Sequence, residues 1–153
     1  MVAKKLKEYL DSNNVKYSTV LHPESYTAQE VAASAHIPGK ELVKTVMVKI
    51  NGKMAMAVVP SSDKIDFELL KKAAGAEKVE LASEREFENL FPGCDVGAMP
   101  PFGNLYGMDV YAAEKLSEDK EIAFNAGSHS ELIKLAYSDF EKLVMPKKAR
   151  FSH

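Results

Sequence analysis

The stretch Val43-Lys44-Thr45-Val46-Met47-Val48-Lys49-Ile50-Asn51-Gly52-Lys53-Met54-Ala55-Met56-Ala57-Val58-Val59-Pro60 decides the fold. Two apolar runs rich in valine, Val43 to Ile50 and Met54 to Val59, flank Asn51-Gly52, the dipeptide that tolerates positive φ at both positions of a two-residue turn. The pattern predicts a tight hairpin and with it antiparallel pairing. Helical and strand-like segments interleave around this hairpin without βαβ regularity. The expected class is therefore α+β, with a mixed, largely antiparallel sheet flanked by helices.

On the N-terminal side, Val2, Leu6, Tyr9 and Leu10 recur at helical spacing, which predicts an amphipathic helix over 3–13 that stops at Asn13-Asn14. A short strand over 16–21 follows. Thr27-Ala28-Gln29-Glu30 has the capping-box pattern and predicts a helix to about Ala35. On the C-terminal side, residues 66–74 carry an apolar face and end at Gly75, a residue suited to a left-handed cap. Ser83 to Glu86 forms a second capping box, opening a short helix that ends near Phe91-Pro92-Gly93. A loop dense in glycine and proline then runs to Gly103. Strands are expected over 108–112, 121–124 and 132–136, and Ser138-Asp139-Phe140-Glu141 is expected to cap a last helix before Pro146. The basic run Lys147-Lys148-Ala149-Arg150 reads as part of a mobile tail over 147–153. Without a linker or repeat, 1–153 is expected to form a single domain.

Composition sets outer limits. A chain of 153 residues, 46% hydrophobic and 27% charged, buries close to ~70% of its unfolded surface and needs no covalent staples. Cys94 is the lone cysteine, which excludes an internal disulfide framework and every paired-cysteine zinc or redox motif. The charged start Met1-Val2-Ala3-Lys4-Lys5-Leu6-Lys7 lacks the apolar core of a signal peptide. The longest uncharged stretch, Val96 to Met108, is broken by glycines and prolines. The expectation is a cytoplasmic protein without a membrane partner. Lys plus Arg number 20 against 22 Asp plus Glu, a net charge of -2, so there is no global basic field of the kind that drives DNA coating.

The chain has no Gly-x-Gly-x-x-Gly, and Gly103 is followed by Asn104 where a phosphate loop needs Lys-Ser/Thr. His22, His36, His129 and His153 lie in separate segments without paired-ligand spacing. Neither a nucleotide cofactor nor a metal is expected. Three segments are unusual for a plain scaffold. Lys44 shares a strand face with Val46 and Val48, where the bland alternative is a stem that snorkels to water. Gly97-Ala98-Met99-Pro100-Pro101-Phe102-Gly103 has a stiff backbone whose successive amides can converge as an anion or oxyanion cradle, with an exposed Phe102 shaping a pocket. A structural turn is the alternative. Asn125-Ala126-Gly127-Ser128-His129-Ser130 can present imidazole and hydroxyls at a loop tip, or bond only its own backbone.

These segments, in this order, resemble the YbaK/prolyl-tRNA synthetase-associated editing-domain family of aminoacyl-tRNA deacylases. The resemblance spans nearly the whole chain, through His22-Pro23, the Thr27 to Ala33 helix, Lys44-Thr45, the Gly97-x-x-x-Pro101 loop, Ala126-Gly127-Ser128-His129 and Tyr137-Ser138-Asp139-Phe140-Glu141. It implies trans-editing: metal-free hydrolysis of the ester between a wrong amino acid and the 3′-terminal adenosine of a tRNA, most often that for proline, with prolyl-tRNA synthetase as a partner. A second hydrolytic sieve suits small amino acids that binding alone separates poorly. The resemblance implies catalytic roles for Lys44, Gly97 and His129, with Lys44 holding phosphate or ribose and His129 lining the pocket. It implies substrate contacts from Thr45, Ala98, Met99, Pro100, Pro101, Phe102, Gly103, Gly127 and Ser128. A substrate hydroxyl is thought to position or activate the water, which would account for the missing triad. Lys40, Lys44, Lys49 or the basic tail would supply local charge for tRNA. The Pro-Pro-Phe form of the loop departs from the YbaK branch, so the resemblance does not by itself carry over that branch's cysteinyl specificity, and the amino acid removed is left open. Two rival readings are a non-catalytic module that binds a tRNA end or an aminoacyl-like small molecule, and a Cys94-dependent acyl-transfer enzyme.

Overall fold

The computed structural model describes residues 3–23 and 37–153. The helix expected over Thr27 to Ala35 lies outside the described residues. The chain opens with α1 (Lys4–Ser12), which buries Leu6 and Leu10 one turn apart, and continues into β1 (Tyr17–Leu21). The hairpin follows as β2 (Leu42–Ile50) and β3 (Lys53–Pro60), in unbroken register from Val43↔Pro60 to Ile50↔Lys53. Asn51 and Gly52 have φ of 51° and 81°, the two positive values that let a two-residue turn match the twist of its strands. The Asn51 carboxamide oxygen also accepts from the Glu77 and Lys78 amides at 2.9 and 3.0 Å, tying the turn to the segment beyond the next helix.

That helix is α2 (Phe67–Ala74). Asp66 caps it by accepting from the Leu69 amide at 3.1 Å, and Gly75 closes it at φ 62°. Such an N-cap contributes about 1 kcal/mol. β4 (Val79–Leu81) and the single turn α3 (Glu84–Phe87) come next. The Ser83 amide and hydroxyl both donate to the Glu86 carboxylate, at 2.9 and 3.0 Å, so the capping pair expected there is made. Lys49 reaches the other Glu86 oxygen at 2.5 Å. Together, with Lys49 the largest cause, they hold the Glu86 carboxyl at about 2 against an ordinary 4.5. A carboxyl depressed on folding stabilises the protein above its unfolded value and loses that effect as pH falls through its folded value. Glu86→Gln is therefore expected to melt below wild type at neutral pH, with the gap closing between about pH 4.5 and 2. Parallel melting-temperature curves for the two proteins across that window would refute this.

β5 (Asp109–Ala113) lies between two 3-10 turns, Gly103–Tyr106 and Glu114–Glu118, and is followed by β6 (Glu121–Ser128), β7 (Glu131–Ala136), α4 (Tyr137–Val144) and β8 (Lys147–Ala149). The sheet runs β1-β7-β6-β2-β3-β5-β8, with β4 joined to β2. Pairing is parallel for β2 with β6, β3 with β5 and β5 with β8, and antiparallel elsewhere. The mixed α+β class is as expected.

Three local expectations need correction. β6 does not stop at Phe124 but runs to Ser128 through a bulge between Asn125 and Ser128, so the supposed loop tip is mostly strand. α4 starts at Tyr137 with Ala136 as an uncapped N-cap, because β7 runs straight into it and leaves no turn for Ser138 to cap. The tail is a strand: β8 pairs with β5, Ser152 bridges to Ile65 and Phe151 is fully buried. Its lysines mislead because charged side chains are what an edge strand carries to block further pairing. Lys147 lies near Asp109, and Lys148 pairs with Glu141.

The core sits between the sheet and the helices α1 and α4. Phe102, fully buried, is its hub: its ring packs 5.4 Å from Phe124, 5.7 Å from Phe140 and 6.3 Å from Tyr9 by centroid.

Candidate functional site

On the edge away from β3, β2 has two partners. Leu42 and Val43 pair with β6, Val48 to Ile50 pair with β4, and between them the sheet forks. The Leu42 carbonyl accepts from Ser61 on the β3 side, whereas those of Glu41 and Met47 accept from Ala123 and Ala82 on the other. Strand alternation therefore directs the Thr45 N–H and C=O into the fork. Among the described residues no ladder pairing reaches Thr45 on this edge, and a peptide group left open beside a cleft is a ready hydrogen-bonding site.

A cleft of about 180 Å³ fills the fork, lined by Leu42, Val43, Lys44, Thr45, Gly97, Met99 and Asn125. Its size falls below the ~300 Å³ at which drug-sized pockets begin, so it suits a small terminal group. Lys44 is half-buried. Burial pushes its ammonium below the ordinary lysine value, with the Asp63 carboxylate opposing that shift and Lys64 adding to it. Asp63 is already held by the Lys115 ammonium at 2.6 Å and the Ser152 hydroxyl at 2.8 Å. Burial raises its carboxyl, but these partners outweigh burial and keep it below the usual range. The charge of Lys44 thus stays on offer to an anion or a developing oxyanion.

Gly97 comes to the cleft at φ 87°, its amide against the Met99 sulfur at 3.2 Å. A thioether is a weak acceptor, readily exchanged for a ligand oxygen. A side chain at Gly97 would place its Cβ 3.4 Å from His129 Cε1. His129 donates through Nε2 to the Val96 carbonyl at 2.9 Å. It braces the loop behind Gly97 and is not among the residues lining the cleft, a correction to its expected pocket-lining place.

The rest of the loop faces inward. Ala98, Pro100, Pro101, Phe102 and Gly103 are all buried, and Phe102 is core where an exposed pocket wall was expected. The Ala98 amide bonds the Asp95 carbonyl at 3.0 Å and its carbonyl accepts from Gly127 at 2.9 Å. Successive amides of this loop therefore do not converge on one point. A Cβ at Gly103 would lie 2.7 Å from Val110 Cγ2 and one at Gly127 would lie 3.0 Å from Ala3 Cβ, so both glycines serve close packing. Ser128 sits in the bulge with its hydroxyl 3.5 Å from that of Ser130.

Of the residues singled out from the sequence, Lys44, Thr45, Gly97 and Met99 meet at the cleft. Leu42, Val43 and Asn125 were missed as lining. The signal for Asn125 was strand alternation: the parallel register Leu42↔Ala123, Val43↔Phe124 sets Asn125 beside Lys44, provided the strand is carried past Phe124. Cys94 is half-buried with its sulfur 3.7 Å from the Tyr106 hydroxyl, burial pushes its thiol up, and it lines no part of the cleft. A larger cavity of about 430 Å³ lies between Glu114–Glu118 and Arg150–His153 and holds none of the expected catalytic or substrate-contact residues, though Arg150 of the basic run lines it. Lys49 is engaged by Glu80 and Glu86. No helix among the described residues is long and apolar enough to cross a membrane.

The fold matches solved structures over nearly the full chain. One is a hypothetical protein, APE2540, at TM-score 0.87 and 21% identity, covering 98% of this chain and all of that one. Another is described as a candidate trans-editing enzyme for prolyl tRNA synthetase, at TM-score 0.83 and 19% identity, covering 99% and 96%. In sequence, 93 residues (61% of this chain) are 28% identical to a proline–tRNA ligase of Bacillus mycoides (strain KBAB4) and 30% identical to one of Bacillus cytotoxicus, the match spanning 16% of each ligase. Residues 22–143 match the model of the aminoacyl-tRNA editing domain, a span that takes in Lys44, the Gly97 loop and His129 alike, and the chain belongs to that family.

Proposed function

We propose that the chain is a trans-acting aminoacyl-tRNA deacylase that removes a small mischarged amino acid from the 3′ end of a tRNA. The observation that carries this reading is the convergence of the half-buried Lys44, the unpaired Thr45 peptide and Gly97 on one small cleft. Lys44 binds the terminal phosphate or ribose as a point charge. The Thr45 N–H and the Gly97 N–H, freed from its sulfur, would donate to the ester carbonyl as it gains negative charge under attack by water. An aminoacyl ester is already activated, so these donors suffice without a nucleophilic side chain. Leu42, Val43 and Met99 contribute apolar surface to a cleft whose lining is otherwise polar, and its small volume favours a short side chain. The proline–tRNA ligases among the relatives support tRNA for proline as the carrier, prolyl-tRNA synthetase as a partner, and the cytoplasm as the place of work. A tRNA end is read as single-stranded nucleotides, which a protein of net charge -2 can do through one lysine and a shaped cleft.

The test is turnover on tRNA for proline charged in turn with alanine, cysteine, serine and threonine. Release of one or two of these amino acids well above spontaneous hydrolysis is expected. Binding of the charged tRNAs without release would instead establish a non-catalytic module.

A further inference from the structure

Among the described residues lining the cleft, Asn125 carries the buried side-chain polar atom that has no partner. It is half-buried near the end of β6, and its carboxamide oxygen is buried without a hydrogen-bond partner among the described residues. Buried acceptors without partners are rare and costly to keep. Nothing in the strand asks for one here. Its cross-strand partner Leu132 clusters with Leu42 and Ala123 in an apolar patch, where a leucine would pack without penalty. The register of β6 against β2 sets Asn125 alongside Lys44, and both line the cleft.

We infer that Asn125 determines specificity for an α-amino acid ester, its carboxamide oxygen accepting a hydrogen bond from the α-amino group of the bound substrate. The inference rests on the deacylase reading. Lys44, the Thr45 N–H and the Gly97 N–H are donors suited to phosphate and ester oxygens. The α-amino group is itself a donor and needs an acceptor. A carboxylate there would pair with Lys44 and quench it, whereas a neutral amide accepts the amine and leaves the lysine charged. The terminal amide torsion is soft, so the carboxamide can turn its oxygen from the buried position toward the cleft when a donor arrives.

The experiment compares alanyl and propionyl esters of the same tRNA for proline, which differ only in the amino group, on wild type and on Asn125→Leu. After division by spontaneous hydrolysis rates, wild type is expected to favour the alanyl ester in kcat/KM, and Asn125→Leu to lose about tenfold of that preference. Its melting temperature is expected to equal or exceed that of wild type, because an unpaired buried acceptor has been replaced by a packed side chain. Equal losses on both esters, no loss on either, or a lowered melting temperature accompanying the loss would each overturn the inference. Failure of the wild type to turn over any ester would reject the deacylase reading instead. The same comparison then moves to calorimetric binding of 3′-alanylamino- and 3′-propionylamino-3′-deoxyadenosine 5′-monophosphate. A preference for the former that Asn125→Leu abolishes would uphold Asn125, and no preference or no binding would overturn it.

Discussion

Lys44→Ala is expected to lower kcat/KM on the preferred mischarged tRNA by about 10²–10³, the usual cost of removing one preorganised donor from a site where charge develops. The protein should stay folded. Lys44 is half-buried, and burial pushes its ammonium toward the neutral form with Asp63 opposing only part of that shift, so its charge is a cost to the native state. The nearest carboxylate, Asp63, keeps its ion pair with Lys115 and its bond from Ser152 when Lys44 is removed. Lys44→Met separates charge from packing, since the apolar stem is kept. It is expected to lose as much activity as the alanine variant while melting within a few degrees of wild type. Activity within threefold of wild type in either variant would remove Lys44 from the mechanism.

Phe102→Ala is expected to cost about 3–5 kcal/mol of stability, the range for deleting a buried aromatic ring. For a chain of this size that lowers the melting temperature by roughly 10 °C. The ring is fully buried and touches α1 through Tyr9, β6 through Phe124 and α4 through Phe140. Its removal opens a cavity where three elements meet and none can collapse alone. Phe102→Leu should recover a large part of the loss, because packing and not recognition is at stake. Had Phe102 been a pocket wall, the alanine variant would melt near wild type and change its amino-acid preference, and that result would refute the core assignment.

These two residues show where local reading works. Lys44 was picked out because a charge on a valine-rich strand face needs a reason, and alternation along one strand is a local property. Asn51-Gly52 and the Gly75 cap are likewise decided within a few residues of backbone geometry, and both formed as expected. Phe102 was misread because its loop is rich in glycine and proline, which signals irregular backbone but is silent on which side the ring turns. The tail was misread for the mirror reason. A basic run is equally at home in solvent and on an edge strand, and only β5 offers the partner that decides between them.

His129 and Asn125 mark the same boundary within the site. Both fall in one short segment, and their ranking reverses on folding. The histidine, the more reactive group, is turned against Val96 behind the Gly97 loop, while the amide faces the cleft beside Lys44. The bulge between Asn125 and Ser128 and the switch of this segment from β2 to the Asp95–Ala98 loop set that reversal.

By itself, then, the sequence determined the hairpin, the Gly75 and Ser83–Glu86 caps, the α+β class, the absence of a cysteine-pair framework and the ordered motifs that place the chain in its family. Each depends on spacing within one segment or on composition, and needs no partner. Only the tertiary structure decided that the sheet forks at Thr45, that the cleft lies in that fork and that Asn125 belongs to it. Those facts arise from which strands share the far edge of β2. Such pairings join residues 29 to 81 positions apart, as with Ile50 and Val79 or Leu42 and Ala123, and no local pattern encodes them.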